Sequence, residues 1–291
     1  MQADKPTSLV AALLLGCIGV FAIMAGPIIT EALVAALGIE PGVAGQIIAV
    51  EALGTALGPV AAAFWMPRVK WRTAAIVAIL VVITGNVISG SITSASSLAV
   101  LRFAVGFFGE GPAFALAIAI ISGTTQKDRN FAFLIAAQVV LGVLCFLLLP
   151  IPKDAGVSGV LLPLAGLALV ALFTVGWIPQ PDGAAGHHAG GGQAGGSALP
   201  AFIALAVMLI WCTGLGAIWF FIKLIGTSAG IDSTQVGVAL GVSTGVATLG
   251  ALAAAGLADR IGRIIPVTVA LLVQVVMIWL LQGEMSFLQF M

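Results

Sequence analysis

Glu51, Arg102 and Glu110 are the residues whose types could do chemistry, because each lies inside a long apolar run. Holding an ionisable group in hydrocarbon is costly, so such a group marks a candidate ligand, ion or proton site. A helix rises roughly 1.5 Å per residue, which puts Glu51 about 12 Å, Arg102 about 8 Å and Glu110 about 20 Å into their runs. Glu51 and Arg102 lie at similar depths and can pair, whereas Glu110 falls near the midplane. A carboxyl in low dielectric resists ionisation. Glu110 is therefore the candidate proton carrier, and Arg102 the candidate holder of a substrate or a neighbouring carboxylate. Two plainer readings stay open. Glu51 and Arg102 could be a buried ion pair that fixes helix register, and Glu110 could be satisfied by Ser/Thr or backbone groups freed at Gly111-Pro112.

The elements that must position these groups are membrane helices. The 291 residues are 61 % hydrophobic and 8 % charged, against about 25 % charged in soluble proteins, so a water-facing surface cannot be built from them. Nine apolar runs are long enough to span, at about 8–29, 43–66, 73–92, 97–122, 131–150, 157–178, 200–222, 234–256 and 264–282. They lack the two-residue alternation of a β-barrel, so the expected fold class is an all-α polytopic bundle. With the N-terminus inside, Lys5, Arg68, Lys70, Arg72, Lys127, Arg129, Arg260 and Arg263 fall on the inner side. The outer side then has Lys153, with Lys223 at the outer end of the seventh run, where it is expected to snorkel to headgroups. This bias predicts a multi-pass inner-membrane protein with a cytoplasmic N-terminus. Trp65, Trp71 and Trp177 lie at run ends, as interfacial anchors do. Cys17, Cys145 and Cys212 lie inside runs and read as free, buried thiols.

Residues 179–198 turn into Gly/Ala-rich low complexity around His187 and His188, read as a cytoplasmic linker. It separates a six-span bundle, 1–178, from three later spans, 199–291. Paired histidines need further converging ligands to hold a metal, and only Asp182 is near, so no metal site is expected. The zero net charge gives no reason to expect a nucleic-acid partner. Phosphate-gripping loops and nucleophile motifs are missing, so neither an enzyme nor a cofactor is expected.

The most specific motif is Leu257-Ala258-Asp259-Arg260-Ile261-Gly262-Arg263, a charged turn between two apolar runs. It resembles the loop signature of the major facilitator superfamily of transporters, with Ala255 in place of the signature's first glycine. Val50-Glu51-Ala52-Leu53-Gly54-Thr55-Ala56-Leu57-Gly58-Pro59, following Ala36-Leu37-Gly38-Ile39 and Ala44-Gly45, is similar to the efflux-type branch. Arg102-Phe103-Ala104-Val105-Gly106 is similar to the family's fourth-span signature, associated with proton coupling. The first-half loop Met66-Pro67-Arg68-Val69-Lys70-Trp71-Arg72 departs from the signature in having no carboxylate. The fifth span, with Gln138 and Gly142, departs from the Gly-Pro-rich antiporter pattern.

The resemblance implies alternating access of a small organic solute between two six-span halves, of which this chain carries the first and three spans of the second. A truncated or frameshifted gene, or a partial sequence, is the expected reason for nine spans rather than twelve. Proton-coupled efflux is the first expectation. Proton-coupled import and a non-transporting membrane protein are the alternatives. In the family, Asp259, Arg260, Gly262 and Arg263 would form a conformational latch; a plain positive-inside anchor is the simpler alternative. Gln138, Trp211 and Trp219 are candidate cavity residues, the last two eight residues apart on one span, although ordinary helix packing also accounts for the tryptophans.

Overall fold

The computed structural model describes residues 2–149, 156–180, 198–261, 264–280 and 290. Among these there are helices and no strands. The chain runs through α1 (Pro6–Gly19), α2 (Phe21–Leu37), α3 (Pro41–Trp65), α4 (Trp71–Ser89), α5 (Ala95–Val105) and α6 (Gly111–Ser122). It continues through α7 (Lys127–Leu148), α8 (Ser158–Leu172), α9 (Ala198–Trp219), α10 (Ile222–Ser228), α11 (Ser233–Ile261) and α12 (Ile264–Leu280).

Local chemistry sets the ends. Pro6 and Pro41 open α1 and α3, where a missing N–H leaves nothing unpaired. Gly38, at φ 62°, takes the left-handed position that stops α2, and its N–H returns to the Val34 carbonyl. The first span is therefore longer than expected. α1 and α2 form one 32-residue rod, Pro6–Leu37, with a break at Val20, which brings Glu31 inside the helix. The run expected at 157–178 keeps an α-helix only over Ser158–Leu172, followed by a short 3-10 turn at Val175–Trp177, while α11 covers the expected 234–256 from end to end.

Six of the described helical segments are long and apolar enough to cross a bilayer: Pro6–Leu37, Pro41–Arg68, Trp71–Ser89, Ala95–Ser122, Lys127–Leu148 and Leu209–Ser228. Their outward side chains are apolar too. Phe64, Val100 and Phe173 are 71 %, 72 % and 79 % exposed, which suits lipid and not water. The protein is an all-α, multi-pass membrane protein.

Between these helices lie two apolar clusters. One joins α1, α4, α6 and α8 around Leu15, Ile79, Leu116 and Ile120. The other joins α2, α3, α7, α8 and α11 around Ile28, Leu33, Ile48 and Leu161. Without a solvent-driven hydrophobic force between helices in lipid, close backbone approach carries the packing. Gly54 and Gly58, one turn apart on α3, supply that approach. A Cβ on Gly54 would stand 2.5 Å from the Phe103 carbonyl oxygen, and one on Gly58 2.8 Å from that of Phe107.

Candidate functional site

Glu51, Arg102 and Glu110 meet in the middle of the early helices, and all three are at most 3 % exposed. The sequence of α5 and α6 explains how. Arg102 and Glu110 are eight residues apart, which on a regular helix of about 100° per residue leaves them about 80° apart. Gly106–Glu110 instead forms a π turn, with the Gly111 N–H donating to the Gly106 carbonyl. Pro112 favours this, because it has no N–H to continue the regular ladder. A π turn takes up one extra residue, so the two side chains end within about 20° of one face. That face lies on α3, where Glu51 and Thr55 stand one turn apart.

Two rungs result. The Arg102 guanidinium holds Glu51 in a two-point fork: Nε donates to Oε2 at 2.9 Å, and Nη2 donates to Oε1. Thr55 Oγ1 donates to Glu110 Oε2 at 2.8 Å. Arg102 is further fixed from α4, its Nη1 donating to Asn86 Oδ1 at 2.6 Å and to Ser89 Oγ at 3.4 Å. Glu110 lies close enough to interact with both Glu51 and Arg102. Both plainer readings of the sequence thus have their geometry: the ion pair exists, and Thr55 serves Glu110. The cluster nevertheless contains two carboxyls for one guanidinium. With both ionised it would carry a net negative charge in a low-dielectric interior, and one bound proton makes it neutral.

Towards the end of the bundle where α2 passes into α3, the cluster is capped by Ile29, Ile47, Ile48, Leu98 and Leu161. The cavity there is about 10 Å³, room for at most about one water.

A second ionic site sits nearer that same end. Lys223 Nζ pairs with Glu31 Oε2 at 2.7 Å, and Ser233 Oγ donates to Glu31 Oε1 at 2.9 Å. Lys223 is 2 % exposed. The expectation that it snorkels to headgroups is overturned, because the extended α2 brings a carboxylate to it. Trp219 reinforces this contact. Pro27 has no N–H for the carbonyl of Ile23, and the Trp219 indole N–H donates to that carbonyl at 2.7 Å. Between α9 and α10 the chain turns at Phe220 and Phe221. These rings pack so closely on Gly26 and Gly45 that a Cβ on either glycine would overlap them.

The other expected residues scatter. Gln138 Nε2 donates to the Gly16 carbonyl at 3.2 Å, tying α7 to α1. Trp211 is partly exposed and donates to Gln274 Oε1 at 3.2 Å, so it shares no partner with Trp219, which stacks edge-on against Phe146. Cys17 and Cys145 are buried free thiols, but Cys212 is exposed, contrary to expectation. Asp259 and Arg260 fall on the last turn of α11; their side chains, together with Gly262 and Arg263, lie outside the described residues. Sequence reasoning missed Thr55, Asn86 and Glu31 as partners. Asn86 had a signal, being the only amide in its apolar run. Thr55 had one too, at four residues from Glu51.

The family model of the Major Facilitator Superfamily matches residues 11–283. No curated protein matches the chain.

Proposed function

Because the chain belongs to the Major Facilitator Superfamily and is thus a secondary transporter of small solutes, we propose that it couples solute movement to protons through Glu51, Arg102 and Glu110. One observation carries this reading: two carboxyls share one guanidinium at a site sealed from water. Arg102 stays paired with Glu51, and Glu110, which takes the Thr55 hydroxyl and lies against Glu51 outside the guanidinium fork, is the carboxyl free to gain and lose the proton. Arg102 positions this exchange through charge.

The proposed orientation has the N-terminus in the cytoplasm of a cell whose inner membrane holds the protein, as the basic turns favour. The end closed by Lys223, Phe220 and Phe221 is then the outer one, and solute loads from inside. Residues 1–178 act as one rocking body, and 199–291 belong to a second, joined through the linker 179–198. Asp259, Arg260, Gly262 and Arg263 latch the inner side between strokes. Gln138 and Trp219, which tie α7 and α9 to the first rod, border the path between the bodies.

Efflux in exchange for protons is the preferred direction, supported by the similarity of Val50–Pro59 to the efflux-type branch. Import together with protons is the second reading, favoured by the fifth span, where Gln138 and Gly142 stand without the Gly-Pro-rich antiporter pattern. Proteoliposomes loaded with a pH-sensitive dye and challenged with single small organic solutes test both. A solute should move protons in wild type and not in Glu110→Gln. The sign of the pH change gives the direction, and solute uptake without proton movement would refute the coupling.

A further inference from the structure

The turn between α3 and α4 and the first residues of α4 contain Arg68, Lys70 and Arg72, all exposed, and no carboxylate pairs with them among the described residues. From Ala52 to Gly109 the sequence has no acidic residue. Two of the cations are held in place by neutral backbone. Arg68 Nη1 donates to the Phe64 carbonyl at the end of α3, and Arg72 Nε donates to the Ile178 carbonyl at 2.9 Å. These bonds fix the guanidinium groups, and among the described residues no carboxylate compensates their charge.

Directly beneath the turn is a groove of about 310 Å³ between α3, α4 and the π turn. Its walls are almost wholly apolar and include Trp65, Val69, Val77, Phe108 and Pro112. Val69 and Thr73 line its end nearest the turn and are each next to a cation in sequence, so the charged residues stand beside the mouth of the groove rather than in its wall. Val77 and Phe108 are 53 % and 57 % exposed, so the groove opens sideways where lipid lies. Trp65 and Trp71 flank the mouth, the residue type that settles at headgroup depth.

A smooth helix face accepts any acyl chain. A groove with three uncompensated cations at its mouth selects by charge as well. We propose that this turn and groove form a binding site for an anionic phospholipid. Its phosphate meets Arg68, Lys70 and Arg72, and one acyl chain lies against Val77 and Phe108. Charge complementarity decides the occupant, since a zwitterionic headgroup brings its own cation to a mouth already three charges positive.

Native mass spectrometry of the purified full chain, titrated with dioleoylphosphatidylglycerol or dioleoylphosphatidylcholine, tests the site. The anionic lipid should be retained at least several-fold more strongly. Lys70→Gln, which removes no bond within the fold, should weaken its retention roughly fivefold and leave phosphatidylcholine unchanged. Val77→Trp, at an exposed position, should fill the groove and weaken both lipids, with the melting temperature of each variant confirming that it folds. Equal retention of the two lipids, or no effect of either substitution, overturns the proposal. So does a dimer that Val77→Trp abolishes and phosphatidylglycerol does not displace, since a second copy would then be the occupant.

Discussion

The two ionic sites use the same pair chemistry in opposite settings. Arg102 and Glu51 are 51 residues apart in sequence, sit on adjoining helices and are locked by a fork plus two further bonds that Arg102 Nη1 donates to Asn86 and Ser89. Lys223 and Glu31 join α2 to α10, and Ser233, which donates to Glu31 as well, is 202 residues from it. Glu31 retains 19 % side-chain exposure, where Glu51 has none. Arg presents a rigid planar fork, and Lys a single mobile charge on a flexible stem. The first site is built to persist. The second joins early and late parts of the chain through one ion pair and one hydroxyl, contacts that can be broken where Lys223 and Glu31 gain water as they part.

That contrast predicts its own largest effect at Arg102. Arg102→Met leaves two buried carboxyls without a cation, and removing one partner of a buried pair typically costs about 3–5 kcal/mol. Thermal unfolding in detergent should show the loss. Arg102→Lys should recover part of it, because one ammonium cannot reach Glu51 through two points and Asn86 as well. Equal stability of Arg102→Met and wild type would remove the persistent site from the comparison.

Two glycines sharpen the contrast next. At Gly54 a Cβ would press on the backbone carbonyl of Phe103, 2.5 Å away, and on the Phe107 nitrogen at 2.9 Å. Gly54→Ala must therefore separate α3 from the helix of Arg102, and overpacking of this kind typically costs about 1–3 kcal/mol. At Gly45 the obstacle is the Phe221 ring, the tip of a side chain that can turn aside. Gly45→Ala should leave the melting temperature nearly unchanged while raising the labelling of a cysteine placed at Ser233. If both variants melt alike, close backbone approach is not what holds the first site.

The sequence made the first site legible and the second invisible, for physical reasons. Glu51, Arg102 and Glu110 stand out because charge inside an apolar run has no cheap explanation, and similar depth points to the ion pair. Their exact mutual facing was hidden, since it needs a π turn that eight-residue spacing argues against. Glu31 was hidden by a boundary: the first run was cut at residue 29, near Pro27, whereas the helix runs on until Gly38 can take the left-handed turn. A carboxylate assigned to a loop has no reason to bury a lysine, so Lys223 was sent to the headgroups. Helical class, by contrast, follows from the length of the apolar runs and their lack of two-residue alternation.

Lys223→Ala should have the third-ranked effect. Glu31 stays partly hydrated when its partner is lost, so the stability change should be about 1 kcal/mol or less. The informative readout is access: cysteine labelling beside Phe221 should rise, and the exchanged pair Glu31→Lys with Lys223→Glu should restore protection. Unchanged labelling in Lys223→Ala would mean that the aromatic contacts alone close this end.

An exposed contact supplies the lower limit of the series. Asp4 accepts from the Thr125 N–H at 2.8 Å and from its hydroxyl at 2.9 Å, tying the N-terminus to the turn before α7. The Thr125 N–H, chiefly, holds the Asp4 carboxyl below its ordinary value of 3.8. A lowered folded-state value means the contact contributes fully above pH 3.8 and fades as pH falls below it. Amide exchange at Thr125 should therefore quicken on acidification below that point relative to neighbouring amides. In Asp4→Asn this pH step should vanish, while global melting should hardly move in either protein. A melting shift as large as that of Lys223→Ala would mean that burial does not rank these contacts, and the distinction between the persistent and the breakable site would lose its physical basis.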